Sequence, residues 1–258
     1  MTLREQWSAR QATLGAFLSL PSSVSAETAA RANFDYICVD NQHGVIDYQM
    51  TVVMIQAILL GGGTPVVRVP WNEPGIIGKM LDAGAEGIIV PMVNTREQAQ
   101  AVVSSCRYAP VGSRSFGPVL AMPRTKNYVN VANELTTTIP MIETVEALRN
   151  LDDILSVPGV DAIYVGPADL SISLGLPPGN NDDRTEFTDA LTMVVAACKR
   201  HGVVPGMHSS GVLAERRLEQ GFQMLTVSSD LLSMRSAMTA ELAVARGAAK
   251  PAENKSVY

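Results

Sequence analysis

The regular alternation of short apolar runs with helix-like segments constrains this chain more than any other feature. Parallel strands need a crossover connection, so strand–helix alternation predicts a parallel sheet, and eight units close it into a barrel. The predicted fold class is therefore α/β, a single (β/α)8 TIM barrel of residues 1–258, a fold that typically needs about 250 residues. The eight runs lie at 13–18, 36–40, 65–69, 87–91, 138–142, 161–165, 203–207 and 224–227.

Two further stretches complete this outline. Residues 231–246 predict an additional C-terminal helix, followed from about residue 247 by a polar tail that we expect to be frayed. Residues 108–127 carry several glycines and prolines and are too irregular for the core. Long irregular loops often carry function, so we predict that this loop covers the active site.

Composition narrows the classes of function. The net charge is −5 and no block of lysine or arginine occurs, which argues against nucleic acid or an anionic membrane as partner. Cys38, Cys106 and Cys198 lie far apart without a CxxC pair, which favours buried thiols in a reducing compartment over a disulfide framework. No apolar run approaches a membrane span, and the first residues lack a signal-like segment. We expect a cytoplasmic protein.

Two acidic residues follow the fifth and sixth predicted strands, which a helical segment at 145–155 separates. Glu143 comes directly after the fifth strand, and Asp169 lies four residues after the sixth. The carboxyl ends of parallel strands meet at one rim, where barrel enzymes place their chemistry. Two carboxylates facing one cavity suit a hard divalent cation, Mg²⁺ or Mn²⁺ with Co²⁺ as a further candidate, although acids are also common as solvated residues after strands.

Other polar residues are predicted at the same rim. Arg68 lies in an apolar strand, where its guanidinium needs an anionic partner: a substrate carboxylate or enolate oxygen, or else Asp40 or Glu143. His43 follows Asp40 by three residues, close enough for Asp40 to bind one ring nitrogen and leave the other as a base. A lone histidine is more often structural, so both interpretations stay open.

The remaining candidates are expected to contact a small-molecule substrate. The turn at Gly166-Pro167-Ala168 presents backbone N–H groups that suit a substrate carboxylate, although a plain turn looks the same. Met207 ends the seventh strand, and His208 after it either touches the substrate's tail or only caps a loop. No lysine lies at a strand end, so a keto acid would be activated by a metal and Arg68 rather than through a Schiff base.

A set of short motifs extends over about residues 14–232. The most specific is Val165-Gly166-Pro167-Ala168-Asp169-Leu170-Ser171 with Ser173-Leu174-Gly175. The others are Val39-Asp40-Asn41-Gln42-His43, Pro65-Val66-Val67-Arg68, Asp82-Ala83-Gly84-Ala85, Val90-Pro91-Met92-Val93, Arg107-Tyr108-Ala109-Pro110, Gly112-Ser113-Arg114 and Ile142-Glu143. In this order and spacing they resemble the HpcH/HpaI aldolase family, the metal-dependent pyruvate aldolases of the phosphoenolpyruvate/pyruvate barrel superfamily.

The resemblance implies a metal-dependent cleavage of 4-hydroxy-2-oxo acids. Glu143 and Asp169 would bind the divalent metal, and pyruvate would chelate it with its carboxylate supported by the N–H groups of Ala168 and Asp169. Arg68 would hold the keto oxygen as the enolate develops. His43, oriented by Asp40, would remove the proton of the C4 hydroxyl, so that the C3–C4 bond breaks into an aldehyde and pyruvate.

The resemblance also implies an assembly. Asp82 matches an acid that family members supply from a neighbouring subunit, and the family typically forms hexamers, trimers of dimers, with exchanged C-terminal helices. We therefore expect a homo-oligomer.

Two departures from the family pattern bear on the substrate. Gln42 stands where relatives commonly carry Glu, and Met141 stands where they usually carry Gln, which helps hold the pyruvate or a metal water. Met141 cannot donate that hydrogen bond, so we expect altered keto-acid binding. The alternatives are decarboxylation of oxaloacetate or macrophomate-synthase-like chemistry at the same site, a CoA-thioester lyase, for which no basic cluster is evident, and a non-catalytic barrel that binds a keto acid.

Overall fold

The eight predicted strands form a closed parallel barrel. Each strand pairs with the next and β8 pairs with β1, so the (β/α)8 prediction is confirmed. A computed structural model describes residues 1–248, and each predicted strand lies within two residues of its observed bounds. The strands are β1 (Thr13–Leu18), β2 (Tyr36–Asp40), β3 (Pro65–Arg68), β4 (Gly87–Val90), β5 (Thr137–Ile142), β6 (Ala162–Val165), β7 (Val204–His208) and β8 (Met224–Ser229).

Helices connect the strands and cover the barrel. They are α1 (Leu3–Ser8), α2 (Ser23–Arg31), α3 (Tyr48–Leu60), α4 (Pro74–Ala83), α5 (Arg96–Cys106), α6 (Tyr128–Leu135), α7 (Val145–Arg149), α8 (Leu151–Leu155), α9 (Pro167–Ser173), α10 (Thr185–His201), α11 (Ala214–Glu219) and α12 (Asp230–Ala245). The helices α1, α6 and α9 were not predicted, because one or two turns give too little periodicity to recognise. The predicted helix at 145–155 is two helices that meet at Asn150.

Alternation along the strands divides the core into two layers. One layer packs between the barrel and its helices and contains, from the strands, Ile37, Val39, Val67, Ile88, Val90, Ile163, Val165, Met207 and Leu225. The other fills the barrel interior with Phe17, Tyr36, Cys38, Val66, Ile89, Ile139, Met141, Ala162, Tyr164 and Met224. Residues in phase with the interior layer at the carboxyl ends of strands therefore face the active-site rim.

The irregular stretch at 108–127 lies at the amino end of the barrel, remote from that rim. It follows α5, which returns the chain to the amino end, and the N–H of Leu120 donates to the carbonyl of Asp82 at the end of α4, at 3.2 Å. Arg114 in the stretch forms an ion pair with the Asp82 carboxylate at 2.7 Å. The prediction that this loop covers the site of its own chain is therefore wrong: loops after helices open at the opposite end from loops after strands.

The predicted C-terminal helix is present as α12. None of its residues is buried, and apolar side chains such as Leu232, Met238 and Leu242 are exposed. Its first residue, Asp230, ties it to the barrel by accepting hydrogen bonds from the N–H groups of Ser19 (2.9 Å) and Leu20 (3.2 Å). The predicted frayed tail lies outside the described residues from 249 onwards. Within residues 1–248, no helix has the length and apolarity needed to cross a bilayer.

Candidate active site

Four polar side chains share the phase of the barrel interior at the carboxyl rim. Asp40 and Arg68 end β2 and β3, Glu143 directly follows β5, and His208 ends β7. Each stands an even number of residues after an interior residue of its own strand, namely Cys38, Val66, Met141 and Val204. Because side chains alternate with a period of two, all four point towards one cavity.

Asp40 and Arg68 form a two-point ion pair. Nε of Arg68 donates to Oδ1 of Asp40 at 2.8 Å, and Nη2 donates to Oδ2 at 2.6 Å. Burial alone would raise the pKa of the Asp40 carboxyl, but the hydrogen bonds and charge of Arg68 outweigh it and lower that pKa. Nη1 of Arg68 has no hydrogen bond within the described chain and is not sealed off from the cavity. The ion pair therefore leaves Nη1 of Arg68 able to donate to an oxygen of a bound substrate.

The segment after β2 is shaped by main-chain hydrogen bonds rather than by the ring of His43. Oδ1 of Asp40 accepts the N–H groups of Gln42 (3.1 Å) and His43 (3.3 Å). The His43 ring is exposed and makes no hydrogen bond in the described part of the chain, so the expected contact from Asp40 to a ring nitrogen is not formed. The carboxylate is already occupied by Arg68. Oε1 of Gln42 is buried without a protein partner among these residues.

Glu143 is a buried carboxylate with little compensation. It is 2% exposed and accepts one hydrogen bond, from the N–H of Met92 at 2.7 Å. Burial raises the pKa of Glu143 to about 7; the Met92 hydrogen bond acts against this, and the charge of Asp169 adds to it. A Cβ on Gly166 would lie 2.4 Å from Oε2 of Glu143, so only glycine admits this carboxylate. Ionising the Glu143 carboxyl in this buried position, without a metal ion beside it, costs free energy.

This cost predicts a pH-dependent stability of the metal-free protein. The Glu143 carboxyl ionises near pH 4.5 in the unfolded chain and near a pKa of about 7 in the folded one. Between these values the folded state binds more protons, so the free energy of unfolding falls as pH rises through this window. Glu143→Gln removes the penalty and is expected to stabilise the metal-free protein at pH 8 by up to about 3 kcal/mol.

Urea unfolding in EDTA at pH 5 and pH 8 measures this effect. The exposed Glu146, three residues further on, supplies the matched control Glu146→Gln. An equal response of the two variants to pH would contradict the prediction.

Asp169 lies in the first turn of α9, near enough for its charge to contribute to the raised pKa of Glu143. It is exposed, whereas Gly166 and Pro167 before it are buried. Gly166 occupies the N-cap position of α9, and within residues 1–248 no side-chain cap is formed for the first N–H groups of that helix. The N–H groups of Ala168 and Asp169 are therefore available to an anion, as expected from the sequence.

The donor set fits a hard divalent cation better than a soft one. Within residues 1–248 no group of three or more His, Cys, Asp or Glu side chains could enclose a metal. Glu143 and Asp169 instead supply two carboxylates at an open rim; burial, with a further contribution from the charge of Asp169, raises the pKa of Glu143, and a neighbouring cation would favour its ionised form. Mg²⁺ is commonly held by one or two carboxylates, with waters or substrate oxygens completing its shell. These two residues could hold such an ion.

Three other predicted site residues have distinct positions. Met141 is 1% exposed inside the barrel, and its Cε lies 3.0 Å from where a Cβ of Gly166 would stand. Met207 does not reach the site: it is fully buried between barrel and helices, because it is out of phase with His208. Asp82 also stays away from this rim of its own chain, since it ends α4 at the amino end and pairs with Arg114.

His208 belongs to a polar network that sequence reasoning missed. Its Nδ1 lies 3.4 Å from the hydroxyl of Tyr164, which donates to Thr226, and the hydroxyl of Tyr36 lies 2.9 Å from the same Thr226 oxygen. The His208 ring packs edge-on against Phe17 with centroids 5.2 Å apart. Alternation along β2, β6 and β8 was the available signal, because it directs Tyr36, Tyr164 and Thr226 into the barrel.

A parallel barrel with two acids and an aspartate-held arginine at its carboxyl rim has the features of an enzyme acting on small anionic substrates. The chain matches the HpcH/HpaI aldolase/citrate lyase family over residues 13–237. It is 41% identical to the hydroxypyruvate/pyruvate aldolase of Rhizorhabdus wittichii, over 95% of this chain and 98% of the relative. It is 36% identical to the 4-hydroxy-2-oxo-heptane-1,7-dioate aldolase of Klebsiella pneumoniae, over 95% and 94%.

Its fold also superposes on a solved structure of macrophomate synthase. The TM-score is 0.87 at 28% identity, covering 96% of this chain and 90% of that one. The chain therefore belongs to the HpcH/HpaI aldolase/citrate lyase family, as the sequence motifs indicated.

Proposed function

We propose that this protein is a divalent-metal-dependent aldolase that reversibly cleaves 4-hydroxy-2-oxo acids into pyruvate and an aldehyde. The observation that carries the proposal is the arrangement, at one rim, of the buried carboxylate Glu143 and the exposed carboxylate Asp169 with an Arg68 held by Asp40. The aldolase names of relatives at 36–41% identity over 95% of the chain support the reaction class.

The proposed site divides the chemistry between a cation and an arginine. Mg²⁺ or Mn²⁺ held by Glu143 and Asp169 would act as a Lewis acid that polarises the keto group. Nη1 of Arg68 donates to the keto oxygen, and its bond strengthens as that oxygen gains the charge of the enolate. Asp40 keeps the guanidinium in place through two hydrogen bonds. The N–H groups of Ala168 and Asp169 support the substrate carboxylate.

In this proposal His43 takes the proton. In the cleavage direction, a ring nitrogen of His43 removes the proton of the C4 hydroxyl, and C4 becomes the aldehyde carbonyl as the C3–C4 bond breaks. The electron pair of that bond passes to C3 and forms the enolate, which is then protonated at C3 to give pyruvate. The exposed ring of His43 is free to approach a bound substrate.

A second candidate is related enolate chemistry at the same residues. Decarboxylation of oxaloacetate or a macrophomate-synthase-like bond formation would also place an enolate oxygen on Arg68. The superposition on macrophomate synthase favours keeping this candidate.

We also propose a homo-oligomer, a hexamer, in the cytoplasm. The exposed apolar side chains of α12 suit exchange between subunits, and Phe116 and Val119 expose apolar surface in the stretch beside Asp82. Contact of that stretch with a second copy would bring Asp82 to a neighbouring site. The three cysteines, all buried and free, fit a reducing compartment.

Proton NMR of pyruvate in D₂O tests the central proposal. With protein and Mg²⁺ or dilute Mn²⁺, the methyl signal is expected to decay as enolate formation exchanges its protons, and EDTA is expected to stop the decay. Exchange that continues in EDTA, or no exchange and no aldol cleavage with any of these metals, would contradict it. Oxaloacetate decarboxylation without aldol cleavage would select the second candidate.

A further inference from the structure

A chain of hydroxyl groups crosses the barrel interior and ends on His208. The side chains of Tyr36, Tyr164 and Thr226 are fully buried, and the two tyrosines meet at the Thr226 oxygen. Gly15 leaves room for the Tyr36 ring, because a Cβ on Gly15 would lie 2.2 Å from that ring. Burying hydroxyl groups in a barrel core costs more free energy than burying apolar side chains, so this row of hydroxyl groups requires a physical explanation.

The direction of the hydrogen bonds defines which nitrogen of His208 carries its proton. The Tyr164 hydroxyl donates its hydrogen bond to the Thr226 oxygen, so the Tyr164 oxygen is left to accept from Nδ1–H of His208, 3.4 Å away. Burial lowers the pKa of His208 to about 4, and the charge of Arg68 adds to this while Asp40 opposes it. A neutral ring with its proton on Nδ1 has an acceptor at Nε2. Nε2 has no partner within residues 1–248.

His208 is next to the residues that handle the substrate. Its ring packs against one side of Phe17, and the Arg68 guanidinium lies 5.2 Å from the centroid of the same phenyl ring. Arg68 can only donate, and Met141 and Phe17 have no strong acceptor. The Asp40 carboxylate is occupied by Arg68 and by two main-chain N–H groups, so a substrate hydroxyl beside the Phe17 ring finds its acceptor at Nε2 of His208.

We propose that His208 is a specificity-determining residue whose Nε2 accepts a hydrogen bond from a substrate hydroxyl on the carbon next to the reacting carbonyl. The preferred substrates are hydroxylated 2-oxo acids or 2-hydroxyaldehydes, and Tyr164 and Thr226 are positioning residues that set the ring's tautomer. This inference rests on the proposed aldolase function. An analogue with a methyl group in place of the hydroxyl leaves the acceptor unpaired, which is the basis of discrimination.

Paired substrates test the inference and locate the hydroxyl. One arm compares hydroxypyruvate with pyruvate at a fixed aldehyde, and the other compares glycolaldehyde with acetaldehyde at fixed pyruvate. In the arm whose hydroxyl contacts His208, the native protein is expected to prefer the hydroxylated substrate. There His208→Phe is expected to lower the ratio of kcat/KM for the hydroxylated substrate to kcat/KM for its counterpart by roughly threefold to tenfold, the contribution of one neutral hydrogen bond. His208→Gln, which keeps an acceptor oxygen, is expected to retain part of the ratio. Unchanged ratios in both arms for His208→Phe would overturn the inference.

The positioning role has a spectroscopic readout. The chain has three histidines, so ¹⁵N NMR resolves the His208 ring by comparison with His208→Phe. A protonated Nδ1 and an unprotonated Nε2 are expected at neutral pH. In Tyr164→Phe or Thr226→Val we expect a shift towards the other tautomer together with a lower substrate ratio. A proton on Nε2 in the native protein would refute the assignment.

Failure of the proposed function is distinguishable from failure of this inference. No pyruvate exchange and no turnover by the native protein would remove the aldolase proposal alone. Titration calorimetry of the Mg²⁺-supplemented protein with hydroxypyruvate and pyruvate then tests the role of His208 by itself. A preference for hydroxypyruvate that His208→Phe abolishes supports His208 as the acceptor, and equal affinities in both proteins exclude it.

Discussion

Asp169→Asn and Glu143→Gln are each expected to lower aldol cleavage by about 10³-fold. Both substitutions keep the size of the side chain but remove the charge that a divalent cation requires of its ligands. A bound metal contributes several kcal/mol to the transition state, and each 1.36 kcal/mol is a factor of ten. Glu143→Gln is the more informative of the two, because the same change is expected to stabilise the metal-free protein.

The measurement combines steady-state rates with calorimetric titration of Mg²⁺ or Mn²⁺. Loss of metal binding should accompany the loss of rate in both variants. Asp153→Asn, a change at an exposed aspartate on α8, is the control and should leave both quantities unaffected. If either site variant kept the native rate in the presence of EDTA, the assignment of these two residues as metal ligands would be wrong.

Arg68→Lys is expected to lower kcat by about 10²–10³-fold, the range seen when one donor to a developing oxyanion is lost. Lysine keeps the charge but cannot bind Asp40 at two points and still present an N–H to the substrate, as the guanidinium does here. The metal affinity should change little, because Glu143 and Asp169 remain. The variant therefore separates enolate stabilisation from metal binding.

A matched surface change checks this second result. Arg31→Lys alters an exposed arginine that pairs with Glu27 one helical turn away, and it should preserve the native rate. Asp40→Asn should reproduce part of the Arg68→Lys loss, since it weakens the hold on the guanidinium without removing it. Native pyruvate exchange in Arg68→Lys would show that the enolate oxygen is stabilised elsewhere.

Whether the sequence interpretation succeeded depended on how far apart the interacting residues lie along the chain. Glu143 and Asp169 were predicted at one rim because a single strand–helix–strand unit separates them, and such units have one geometry. The ion pair of Asp40 and Arg68 stayed one of several alternatives, because which acid reaches the guanidinium depends on the register of β2 against β3. Met207 was misplaced by one residue, which in a strand reverses the direction of the side chain.

The loop at 108–127 shows a different limit. Its composition correctly indicated an irregular surface segment, but composition has no information about which end of the barrel a segment occupies. That end follows from counting strands and helices: the segment comes after α5 and packs on Asp82, away from Glu143.

The sequence by itself determined the barrel, the two acids at its carboxyl rim and the family, because alternation and motif order are encoded in short local patterns. Only the tertiary structure decided that Arg68 pairs with Asp40, that the His43 ring makes no hydrogen bond within residues 1–248, and that Asp82 lies at the opposite end of its own barrel from Glu143. It alone revealed the hydroxyl chain beneath His208. These features depend on side chains from distant strands meeting in space, and no local pattern specifies such a meeting.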